Sequence, residues 1–88
     1  MDAITLSGKA NNGTPRQDFA DHIAQLPDDE FVEAAENKIW LSAYAGNNPR
    51  SDYHWQADAC YDEAKRRGNE ALYERAYKRA CASAGVEA

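Results

Sequence analysis

Apolar residues recur every three or four positions along most of this chain, which is the spacing of one face of an α-helix. Phe19 and Ile23 begin the first such stripe, directly after Thr14 and Pro15. A threonine oxygen can cap a helix N-terminus, and proline is well placed in the first turn, where no backbone donor is needed. The pattern predicts a first helix over about residues 15–26.

A second and longer helix is predicted over about residues 28–45. Three consecutive acidic residues follow Pro27, and carboxylates in a first turn complement the positive end of the helix dipole. Gly46 is expected to end the helix as a left-handed cap. The predicted apolar stripe and its flanking residues are Phe31, Ala35, Ile39 and Ala43, with Val32, Trp40 and Tyr44.

Two further helices are predicted after the Asn47-Asn48-Pro49 break. The third begins at Asn48 or Ser51 and ends at Gly68, and Asn69 then caps the fourth. The expected inward residues of the third helix are Tyr53, Ala57, Cys60, Tyr61 and Ala64. Those of the fourth are Leu72, Ala76, Ala80 and Ala84, beside Tyr73, Tyr77 and Cys81.

These patterns predict an all-α fold, a small four-helix domain over residues 14–88 whose last two helices form a hairpin. Residues 1–13 contain several glycine and asparagine residues around a brief apolar alternation at Ile4 and Leu6. We expect this segment to be a mobile N-terminal arm, or at most a short edge strand.

The acidic residues are distributed unevenly. Before Asn48 the chain has eight acidic and three basic residues, whereas after it there are seven of each, so the net charge of −5 arises in the first half. Seven carboxylates and no lysine or arginine lie between Gln17 and Glu36. A one-sided charge of this kind favours association with a basic partner and indicates no particular reaction.

We therefore expect a partner-binding surface on the first two helices, with Trp40 as an aromatic anchor. Its predicted residues are Asp18, Asp21, Asp28, Asp29, Glu30, Glu33, Glu36 and Trp40. Tyr44 and Trp55 are further candidate anchors, although core packing is expected for at least two of these three aromatic residues. The alternative is that the acidic residues only form solvated helix faces.

The sequence contains few residues suited to metal or catalytic chemistry. His22, His54, Cys60 and Cys81 could supply four zinc ligands, but no two of them have the close spacing of a structural zinc site. No phosphate loop, His-Glu-x-x-His element or catalytic triad order is present. We expect no cofactor and no enzymatic activity, and two reduced thiols in a cytoplasmic protein with no membrane segment.

The alternative function is that of a small helical transcriptional regulator or nucleic-acid-binding protein that uses the fourth helix. Six bases near the third and fourth helices could imitate a helix-turn-helix reader: Lys65, Arg66, Arg67, Arg75, Lys78 and Arg79. Acidic residues interrupt this cluster, and the sequence pI of about 4.8 opposes phosphate binding. Direct nucleic-acid binding is therefore the less favoured function.

The segment KIWLSAYAGNNPRSDYHWQADACYDEAKRRGNEALYERAYKRA, residues 38–80, resembles short uncharacterised proteins of tailed phages and prophages. The resemblance covers about half of the chain and includes no catalytic motif. It implies a phage setting, in the cytoplasm of a host cell. Small acidic helical proteins in that setting commonly bind and block host proteins, and anti-CRISPR proteins that imitate the charge of nucleic acid are an example.

Overall fold

The structure is a computed structural model that describes residues 3–83. It contains four helices, α1 (Arg16–Ala24), α2 (Asp28–Tyr44), α3 (Asp52–Arg66) and α4 (Ala71–Ser83). The prediction of an all-α four-helix domain is confirmed. No helix within residues 3–83 is long and apolar enough to cross a membrane.

The central helix of the fold is α2. Its most extensive contact is with α4 and the next is with α3, while α1 packs against α3. Although α3 and α4 follow each other across a short turn, each contacts α2 more than it contacts the other. The main buried apolar side chains are Ile23 of α1, Phe31, Val32, Ala35 and Ile39 of α2, Ala57, Ala59, Cys60 and Ala64 of α3, and Leu72, Ala76 and Ala80 of α4.

The α3–α4 turn has the predicted glycine cap. Gly68 has φ +71°, and its N–H donates to the carbonyl of Lys65. The N–H of Asn69 donates to the carbonyl of Ala64, which completes a Schellman motif. Only glycine adopts this backbone conformation without steric cost.

Other predicted helix ends differ in the structure. Ser51 does cap α3, accepting from the Tyr53 N–H at 3.2 Å. The left-handed cap at Gly46 is wrong, because α2 ends at Tyr44 and Gly46 is not among the positive-φ residues. The Thr14 side-chain cap is also wrong, because α1 starts at Arg16 without a side-chain cap.

The N-terminal segment lies against α1 over residues 3–13. The Gln17 side chain binds this segment at two points, accepting from the Leu6 N–H and donating to the Ile4 carbonyl, both at 2.8 Å. Asn11 donates its N–H to the Asp52 carboxylate, 41 residues away. The predicted arm is therefore an extended, hydrogen-bonded segment within this range.

Burial differs from the sequence pattern at several positions. Tyr61 and Tyr77, both expected to face inward, are 40% and 48% exposed, and Ala43 is also exposed. Conversely, Glu63 has no exposed surface although no pattern marked it for the core. Ala84 lies outside the described residues.

Candidate functional site

The buried carboxylate of Glu63 is the centre of an ion-pair network that joins three helices. Arg66 contacts it with Nε and Nη2, and Arg67 with Nε, each at 2.7 Å. The Arg67 guanidinium also reaches the Asp28 carboxylate at 2.7 Å and lies 4.4 Å from the centre of the Phe31 ring.

Arg67 additionally donates to backbone carbonyls at the end of α1. Its Nη2 lies 2.9 Å from the Ile23 carbonyl in the last turn of α1, which also accepts from the Leu26 N–H, and 2.7 Å from the Leu26 carbonyl in the α1–α2 turn. One side chain thus connects the end of α3 to the turn between α1 and α2. Burial alone would raise the pKa of Glu63, but the hydrogen bonds and positive charges of the two arginines outweigh it and lower that pKa.

Two carboxylates of the acidic stretch form ion pairs with arginines that are distant in the sequence. Asp28 pairs with Arg67, and Glu36 pairs with Arg79 of α4 at 2.9 Å. The expectation that these carboxylates are uncompensated is therefore wrong for Asp28 and Glu36. These two acidic residues help to hold helices together.

The other carboxylates of the stretch are exposed. Asp21 accepts a hydrogen bond from the Gln17 amide at 2.9 Å. Asp18, Asp29, Glu30 and Glu33 have no ion pair within residues 3–83. This subset has charge available for a partner.

Four of the eight predicted site residues line one open groove of about 840 Å³ along α2. They are Glu30, Glu33, Glu36 and Trp40. His22 of α1, Leu26 of the α1–α2 turn, Lys38 of α2 and Arg79 of α4 also line it, so the groove has three acidic and two basic residues, of which Glu36 and Arg79 form an ion pair. Asp18, Asp21, Asp28 and Asp29 do not line it. We call this depression the acidic groove.

Trp40 also lines a second groove, between α2 and α4. This apolar groove has a volume of about 560 Å³, and its lining includes Ile39, Tyr44, Tyr77 and Cys81. The rings of Trp40 and Tyr44 are stacked, with centroids 5.5 Å apart and planes at 8°. The periodicity of α4 placed Tyr77 in the core, and only the packing of α4 on α2 showed it at the surface.

Trp55 packs inside the domain. Its indole N–H donates to Asp52 at 2.8 Å, and its ring meets Phe19 edge to face at 5.6 Å. In contrast, Trp40 is 36% exposed and Tyr44 is 79% exposed. The expectation that at least two of these three aromatic residues pack in the core is wrong, which leaves two available as surface anchors.

The histidines and cysteines do not assemble into a metal site. No group of three or more His, Cys, Asp or Glu side chains suited to a metal ion occurs in the part of the chain that the structure describes. His54 instead bridges the α2–α3 connection, through Ser42 at 2.7 Å and the Asn48 carbonyl at 2.9 Å. Burial raises the pKa of the Cys60 thiol to about 12, so this thiol is unreactive.

Half of the basic cluster is engaged in ion pairs. Arg66 and Arg67 bind Glu63, and Arg79 binds Glu36. Lys65, Arg75 and Lys78 are exposed. The three engaged arginines are not free to bind phosphate, which weakens the case for a nucleic-acid reader.

Comparisons of this chain with protein-family models, with curated proteins and with solved structures found no match.

Proposed function

We propose that this protein binds a basic surface of another protein through the acidic groove and the adjoining Trp40–Tyr44 pair. The observation that supports the proposal is the position of Glu30 and Glu33, which are exposed and have no ion pair among the described residues, beside an exposed aromatic stack. Carboxylates speed the encounter with a basic partner, and buried aromatic residues supply much of the affinity of an interface.

The phage resemblance of residues 38–80 extends this proposal to a biological role. In a phage setting the protein inhibits or modulates a host protein, and a nucleic-acid-binding defence component is the partner class that best fits the charge. Such a partner has a basic surface that ordinarily binds phosphates. The carboxylates of the acidic groove would occupy that surface in place of nucleic acid.

The test compares two double charge reversals in capture from host lysate. Glu30→Lys with Glu33→Lys changes the acidic groove, and Asp62→Lys with Glu74→Lys changes exposed acidic residues outside it. Each pair changes the net charge from −5 to −1, because each reversal adds 2. Each pair also includes one first-turn acidic residue, Glu30 of α2 or Glu74 of α4, so their effects on helix dipoles are comparable.

We expect the native protein and the Asp62/Glu74 variant to retain the same partner, and the Glu30/Glu33 variant to lose it. Mass spectrometry identifies the partner, and binding of the purified pair should weaken as salt rises, because the charges are exposed. Equal retention by both variants would reject the acidic groove as the binding site. A retained partner that is itself nucleic acid would instead support the alternative of a nucleic-acid-binding regulator.

A further inference from the structure

We infer that the partner inserts an amphipathic helix into the apolar groove between α2 and α4 and places Lys or Arg side chains over the acidic groove. This inference rests on the proposed function and adds to it the structural form of the binding segment. Three observations support it. The two grooves adjoin at Trp40, one is lined by carboxylates and the other by apolar side chains, and both lie along α2.

The apolar groove has the features of a docking site. Its rim carries Tyr44 and Tyr77, which are 79% and 48% exposed, and its floor includes buried Ile39 and Ala80. The volume of about 560 Å³ can hold large apolar side chains. Exposed aromatic side chains around a concave surface gain binding energy when a partner removes them from water.

Trp40 lines both grooves, so a ligand in one lies directly beside the other. On α2, Glu33 and Glu30 precede Trp40 by seven and ten residues, or about 10 and 15 Å at the helical rise. Tyr44 follows Trp40 by one helical turn. A helix lying along α2 would match this surface with apolar residues four apart and a basic residue about seven to ten positions away.

A helix fits this surface better than a strand does. The groove lies between two helices, and an amphipathic helix buries its apolar face in such a groove through anchors at helical spacing. Residues 3–83 contain no strand whose edge could accept a peptide, only an isolated bridge between Lys9 and Pro15. The charge also indicates a heterologous partner, because a second copy would bring another net charge of −5.

The experiment is a selection from a displayed library of helical peptides, each about 18 residues or five turns long, with randomised surface positions. Peptides retained on the native protein are sequenced, and one is synthesised for fluorescence anisotropy. We expect enrichment of apolar residues four apart with Lys or Arg about seven to ten positions away. Enrichment without the basic residues, or no enrichment, would overturn the inference.

Matched variants locate the bound peptide. Tyr77→Ala and Tyr44→Ala should each weaken binding by about thirtyfold, as expected for an interface anchor. Tyr61→Ala removes a tyrosine of similar exposure to Tyr77 that lies outside the groove, and it should change binding by less than about twofold. Tyr44 is the least buried of the three, so its removal leaves the fold intact and the test valid.

The charge contribution is measured with the same peptide. Glu30→Lys with Glu33→Lys should weaken binding by about tenfold or more, mostly by slowing association. If Tyr44→Ala and Tyr77→Ala leave partner capture unchanged while this charge reversal abolishes it, the helix inference fails and the acidic-groove part of the proposed function stands. A concentration-dependent dimer that Tyr44→Ala dissociates would show that a second copy covers the groove, and would also overturn the inference.

Discussion

Replacing Arg67 with methionine tests whether one side chain connects α1, α2 and α3. The Arg67 side chain is only 12% exposed and contacts the Glu63 and Asp28 carboxylates. Methionine retains much of the aliphatic volume but none of the donors. The variant would leave Glu63 with Arg66 alone, and the two carbonyls at the end of α1 would lose a donor.

The expected loss follows from these contacts. Removing one partner of a buried ion pair costs about 3–5 kcal/mol, and because Arg66 still neutralises Glu63, we expect the lower end, about 3 kcal/mol. A chain of 88 residues has a total stability of about 4–13 kcal/mol at 0.05–0.15 kcal/mol per residue. The substitution therefore removes a large fraction of the stability.

Urea denaturation followed by far-UV circular dichroism measures this loss directly. In thermal unfolding, about 4–8 °C per kcal/mol at this size corresponds to a decrease in Tm of about 12–24 °C. Arg66→Met is the matched control, because Arg66 binds the same carboxylate but, within residues 3–83, makes its polar contacts inside α3 alone. It should cost about 1–2 kcal/mol.

The test is whether Arg67→Met lowers the free energy of unfolding more than Arg66→Met does. If Arg66→Met destabilises the protein as much as Arg67→Met, the contacts of Arg67 with the α1–α2 turn contribute nothing to stability. A loss below about 1 kcal/mol for Arg67→Met would refute the reasoning altogether, since exposed ion pairs already contribute that much.

The buried Glu63, the two thiols and the paired arginines each give a further prediction. Glu63→Gln should destabilise the protein by a constant amount above about pH 5. The difference in unfolding free energy should shrink as pH falls below 4.5, because the unfolded carboxylate then takes up a proton while the native one, whose pKa Arg66 and Arg67 lower, stays ionised; a pH-independent difference would contradict it. Cys81, half-buried beside the apolar groove, should react with a maleimide in the native protein, whereas Cys60 should react only after unfolding; mass spectrometry of the labelled sites checks both. The free protein should not bind duplex DNA at physiological salt in an anisotropy titration, since Arg66, Arg67 and Arg79 are engaged with carboxylates; micromolar binding abolished by Arg75→Gln with Lys78→Gln would disprove this.

Local patterns in the sequence were sufficient to predict the four helices. The apolar stripe on α2, the serine before α3 and the glycine after it each act within about one or two helical turns. Such signals depend on backbone geometry alone and do not require knowledge of the neighbouring helices. They also identified Glu30, Glu33 and Trp40 as candidate surface residues.

Only the tertiary structure decided which acidic residues remain available to a partner. Asp28 and Asp29 are adjacent and chemically identical, yet Asp28 pairs with Arg67, 39 residues away, and Asp29 has no ion pair in the described range. Spacing along a chain cannot encode such a contact, because it depends on how α3 packs beside the α1–α2 turn. For the same reason, the burial of Glu63 could not be predicted, because Glu63 and Arg67 are four residues apart and have the spacing of an ordinary exposed ion pair on a helix.

The chain by itself therefore determined the helices, the acidic first half and the residue types of the proposed surface. The packing of α4 on α2 determined the apolar groove and the exposure of Tyr77, because helical periodicity defines the faces of a helix but not the width of the face that a neighbour covers. Trp40 illustrates both contributions. Its position on α2 was evident from the sequence, whereas its place between the acidic groove and the apolar groove arises only when the helices pack together.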